Sequence, residues 1–130
     1  MGYSVAKSAK EWSLQSEYDL ATAKIMRTSG RNFYAVFMCH MAMEKALKAA
    51  FFLKKDEVPP KSHNLLWFLM NSGLQPPAMI GEFITKLGEA NTATRYPDEL
   101  AELVRLYTDS VTDDIIKKTE EALAWIKTTR

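Results

Sequence analysis

Apolar residues recur along this chain at intervals of three and four, and nowhere alternate with polar ones at a period of two, so the pattern predicts helices throughout. The first stripe is Ala9, Trp12, Ser16, Leu20, Ala23 and Met26. Ser8-Ala9-Lys10-Glu11 has the Ser-x-x-Glu spacing of a capping box and predicts a start at Ser8, while Ser29-Gly30 supplies a left-handed stop. A second helix, about 32–54, is apolar on nearly every side from Phe33 to Met43, the mark of a helix buried by several neighbours or by a second subunit. Pro59-Pro60 ends that region, and Ser62 is placed to cap a third helix over 63–71. Met79, Ile80, Phe83, Ile84 and Leu87 make a fourth, whose pattern fades at Ala90; 91–98 reads as a loop or kink in which Pro97 turns Tyr96 out of helical geometry. Asp98 is placed to cap a short helix with Leu100, Leu103, Val104 and Tyr107, and a last helix begins near Ser110. The expectation is an all-α, up-and-down bundle of five to six helices.

At 130 residues, 47% of them hydrophobic and with no internal repeat, the chain predicts one domain over 1–130. Its first ten residues carry no apolar signal segment, and Phe33 to Leu53 is broken by His40, Glu44, Lys45 and Lys48, which excludes a spanning helix there. Met1-Gly2 invites N-myristoylation, but position 6 is Ala where the pattern wants Ser or Thr. The single cysteine, Cys39, offers no disulfide framework and points to a reducing, cytoplasmic setting. Net charge is only +1, yet residues 1–55 hold nine Lys or Arg against four acids and 56–130 hold eight against twelve. Opposite-signed halves suit helices with complementary rims, with the basic stripe of the second helix facing an acidic wall from 98–121, rather than a broad footprint on duplex nucleic acid.

Three groups of residues could carry chemistry. His40, Glu44 and Lys48 are spaced by four and share one line of the second helix, with Lys45 beside them. They read either as a ligand wall, with Lys45 and Lys48 toward phosphate, or as an intrahelical Glu44–Lys48 pair with His40 satisfied in the core. Arg95-Tyr96-Pro97-Asp98 joins a guanidinium fork, an aromatic face and a rigid turn, the parts of a phosphate or base contact and equally of a structural cap. Cys39 points about a hundred degrees away from His40 and is read as a small buried hydrophobe, not a nucleophile. The five glycines are scattered, so no phosphate-cradling loop exists, and a metal site at His40 and Glu44 would want a third ligand such as His63.

Glu17-Tyr18-Asp19-Leu20, the run from Cys39 to Ala49, Lys61-Ser62-His63-Asn64-Leu65 and Arg95-Tyr96-Pro97-Asp98 resemble, in that order, the HEPN domain family of prokaryotes, over about 8–128. The resemblance implies a helical bundle that usually dimerises, is often encoded beside a minimal nucleotidyltransferase, and binds nucleotide or cleaves RNA in toxin–antitoxin and defence systems. Ribonuclease members carry an Arg followed by four to six residues and a His; counted from Arg95, those positions are Leu100, Ala101 and Glu102. The resemblance therefore implies a homodimeric, non-catalytic module needing neither metal nor cofactor. Its cleft, made by Glu44, Lys45, Lys48, His63, Arg95, Tyr96 and Asp98, would bind a nucleotide or RNA, or the nucleotidyltransferase partner. The rival expectation is a ribonuclease that pairs Arg95 with His40 or His63.

Overall fold

The computed structural model describes residues 5–130, except for the side chains of 5–8, 92, 93 and 95. It contains six helices: α1 (Val5–Thr28), α2 (Asn32–Lys55), α3 (Leu65–Asn71), α4 (Ala78–Arg95), α5 (Leu100–Leu106) and α6 (Asp109–Thr128), with no strand among the described residues. The all-α reading and the helix count hold.

The turn between α1 and α2 forms as its glycine predicts. Gly30 takes φ +77°, its amide donates to Arg27 O at 3.1 Å, and the Arg31 amide donates to Met26 O at 2.8 Å. That pair of bonds is a Schellman motif, which satisfies two carbonyls at the end of α1 and folds α2 back along it. α2 ends on Asp56 at φ 55°, a left-handed position that a short polar side chain tolerates.

Other boundaries differ from expectation. α1 already runs from Val5, so Ser8 lies within the helix and not at its cap. The cap of α3 is Asn64, whose Oδ1 accepts from the Trp67 amide at 3.0 Å; Ser62 acts one step earlier, its Oγ accepting from the Asn64 amide at 3.1 Å. Both residues are good caps, and the extended geometry of Asn64 decides between them. α4 does not stop at Ala90. It continues to Arg95, with the buried Thr94 hydroxyl bonding back to Ala90 O at 3.0 Å, and ends only where Pro97 forbids continuation. α5 begins after Glu99, with no side-chain cap from Asp98, and α6 is capped by Thr108 through the Val111 amide at 3.2 Å.

α2 is the hub. It packs against each of the other five helices, and burial runs from Phe33 to Phe52 around most of its circumference. α6 lies antiparallel to α1, joined by ion pairs of Arg27 with Asp113 (2.7 Å), Lys24 with Glu120 (3.0 Å) and Lys127 with Glu17. It therefore runs parallel to α2: Asn32 Nδ2 donates to Asp109 at one end and Lys54 to Thr129 O at the other. The opposite-signed halves do meet as complementary rims, but on α1 and α6. The expected pairing of the α2 stripe with an acidic wall does not form, because that stripe is inside the bundle.

Candidate functional site

His40, Glu44 and Lys48 occupy one line of α2, as their spacing dictates, and α3 is laid over them. Lys48 Nζ donates to Glu44 Oε2 at 3.0 Å, while Nδ1 of His63, just before α3, contacts Glu44 Oε1 at 2.8 Å. His40 Nδ1 stands 4.0 Å from the same oxygen. The Glu44 side chain is 3% exposed and that of Lys48 8%, against 54% for His63. A buried ion pair thus carries an imidazole at its outer end.

Taking both charges out of water is costly, and the surroundings offset part of that cost. The ammonium of Lys48 lies 5.2 Å from the ring centroid of Trp12 and 5.7 Å from that of Phe68, so two aromatic faces replace lost hydration. Ser62 and Asn64, each holding a backbone amide through its side chain, fix the chain on both sides of His63. A carboxylate can only accept, so in this contact the imidazole donates its Nδ1 proton to Glu44.

His63 lines a cavity of ≈ 400 Å³ between the start of α3 and the middle of α4, together with Asn64, Thr85, Gly88, Glu89 and Asn91. Arg95 closes α4 four residues beyond Asn91; its side chain, a central part of the sequence expectation, lies outside the described residues.

Of the residues expected to form one cleft, the structure brings together Glu44, Lys48 and His63. Lys45 is turned aside to Asp19, at 2.8 Å, and ties α2 to α1. Neither Lys45 nor Lys48 lines the His63 cavity, so the expected phosphate contacts are committed to carboxylates instead. Tyr96 is 72% exposed, Asp98 is exposed as well, and neither lines that cavity. Trp12, Phe68, Thr85, Glu89 and Asn91 escaped sequence reasoning: nothing in local spacing marks residues that meet only when α1, α3 and α4 pack.

Cys39 behaves as a core residue. Burial pushes its thiol up to about 11, the opposite of what a nucleophile needs. A more apolar cavity of ≈ 300 Å³ between α1 and α6, floored by Leu20, Ala46 and Leu123, holds none of this chemistry, and Lys127 and Glu17 at its rim neutralise each other. Among the described residues no group of three or more His, Cys, Asp or Glu is placed to hold a metal ion, and no helix is long and apolar enough to cross a membrane.

A model of the HEPN domain matches residues 9–129. Among solved structures, TT1696 from Thermus thermophilus superposes with a TM-score of 0.82 at 25% identity, covering 94% of this chain and 98% of that one. ST0689, described as an archaeal HEPN homologue, superposes with a TM-score of 0.75 at 27% identity, covering 95% and 98%. No curated protein matches the chain.

Proposed function

Because the chain belongs to the HEPN domain family, we propose that it is a non-catalytic HEPN module that binds a nucleotide or RNA end in the cleft between α3 and α4. In this reading it works as a homodimer beside a minimal nucleotidyltransferase, in a toxin–antitoxin or defence-type system. The observation that carries the reading is His63, held at the cavity wall by a carboxylate that is itself locked in the core. Such an imidazole is preorganised for a polar ligand and loses little freedom on binding. The absence of a His at positions 100–102 supports the non-catalytic assignment.

Calorimetric titration and thermal shift with GTP, ATP and short single-stranded RNAs test it. A ligand at a hundred times its dissociation constant should stabilise the fold by about 2.7 kcal/mol, and His63→Ala should remove that gain. No binding by any of them would overturn the nucleotide claim. Co-purification of a nucleotidyltransferase with the native protein tests the partner, and sedimentation equilibrium the dimer.

One feature favours a second reading. A buried carboxylate orienting the Nδ1 of an exposed imidazole is also how a general base is held. A ribonuclease built on Glu44 and His63 would cut single-stranded RNA without metal and lose the activity in His63→Ala. Intact RNA after long incubation at high protein concentration would remove it.

A further inference from the structure

α1 carries a second apolar line, on the side turned away from the bundle. Leu14, Tyr18, Ala21 and Ile25 follow one another at steps of four, three and four, so in an α-helix they fall within about 60° of arc, directly opposite the buried Ser16, Asp19 and Ala23. All four are exposed, Tyr18 at 75%, Ile25 at 63% and Leu14 at 53%. Alternating steps of four and three are those of a coiled-coil seam, whereas the solvated face of a helix is ordinarily polar. One step further at each end stand polar residues, Glu11 and Thr28, so the line is bounded. Beside Leu14, the exposed Leu53 of α2 lines the same hollow of ≈ 400 Å³ and widens the apolar surface at that end.

Resting on the homodimer reading, we infer that this outer face of α1 is where two copies of the chain meet, as antiparallel helices about a two-fold axis that passes between Tyr18 and Ala21. A two-fold interface needs a surface that complements itself. In this register Tyr18 lies against the partner's Ala21, large against small, and Leu14 lies against the partner's Ile25, so each layer is filled. Glu17 and Lys24 flank the line on its α6 side. The same register sets Glu17 beside the partner's Lys24 and, by symmetry, Lys24 beside the partner's Glu17, so opposite charges face each other at the rim. Both residues already pair with α6, and the dimer extends those pairs into a network. Glu11 comes opposite the partner's Thr28, with no clash of like charges. Parallel pairing fits worse, because Tyr18 would meet its own copy and two alanines would face across a gap. Four positions are too few to hold an isolated coiled coil, but α1 is already ordered by α2 and α6, so association carries no cost of forming the helix.

Sedimentation equilibrium over a wide range of protein concentration reads the assembly. Tyr18→Asp is expected to raise the dimer dissociation constant roughly thirtyfold or more, as loss of an interface anchor does, while the helical circular dichroism of the parent is retained. Val104→Asp, which puts the same charge on the exposed face of α5, should leave the dimer unchanged. Oxidative cross-linking reads the register. Leu14→Cys mixed with Ile25→Cys should give a disulfide-linked pair and neither should link to itself, the buried Cys39 staying out of the reaction. A dimer that survives Tyr18→Asp, whether or not Val104→Asp breaks it, overturns the α1 face and leaves the homodimer standing. Leu14→Cys linking to itself overturns the antiparallel pairing. A nucleotidyltransferase that co-purifies with the parent and is lost in Tyr18→Asp, while the dimer persists, overturns the proposal in favour of a foreign helix on this face. A parent chain that is monomeric at every concentration removes the homodimer and the face together.

Discussion

Take away the carboxylate of Glu44 and the ammonium of Lys48 is left inside the bundle with only the Trp12 and Phe68 rings for company. Breaking a buried pair on one side typically costs about 3–5 kcal/mol, so Glu44→Ala is expected to lose that much in urea unfolding. Lys48→Met added to Glu44→Gln should recover most of it, because neither stranded charge remains. A Glu44→Ala protein as stable as the parent would mean that Lys48 reaches water. Cys39 makes a second measurable case. Its thiol titrates near 11 in the folded chain against an ordinary 9.0, so the folded state holds this proton more tightly than the unfolded one. Stability from this group is full below about pH 9 and is lost as the pH rises through 11, by about 2 kcal/mol at that point. Burial pushes Tyr107 in the same direction, so the comparison is with Cys39→Ala, whose alkaline decline should be shallower by that amount.

At the scale of helices and turns, His63 owes its position to two small caps, and they are not equivalent. Asn64→Ala removes the bond to the Trp67 amide at the start of a seven-residue helix and is expected to cost about 1 kcal/mol in chemical denaturation. Ser62→Ala, which loosens only the turn before it, should cost less. The α1–α2 turn was legible in the sequence because Ser29-Gly30 leaves one conformation open to a chain reversing there. The start of α3 was not, since Ser62 and Asn64 are both competent caps and only the path of the incoming loop separates them. The C-terminal half of α4 was illegible for another reason. Asn91, Thr92 and Thr94 are weak helix formers, but packing buries Thr94 and its hydroxyl finds a carbonyl one turn back, so tertiary contact overrides propensity. The Glu44–Lys48 pair could be read from its four-residue spacing. Its extension to His63, nineteen residues on, could not, because it depends on how the 56–64 loop returns across α2.

Across the whole molecule, α6 closes the bundle by setting Asp113 and Glu120 against Arg27 and Lys24 of α1, while Lys127 meets Glu17 in the opposite sense. The ion pair of α2 has a wider reach than its position suggests. Glu44 touches the cleft through His63 and touches Lys48 on its other oxygen, and Lys48 lies over the indole of Trp12 on α1. Any ligand that draws His63 away from Glu44 also changes the field of a cation against that indole. The protein therefore contains its own optical probe. With Trp67→Phe and Trp125→Phe leaving Trp12 as the sole indole, occupancy of the cleft should shift its emission, and the shift should vanish in Lys48→Met. An emission spectrum indifferent to saturating ligand would show that the cleft and α1 are electrically separate.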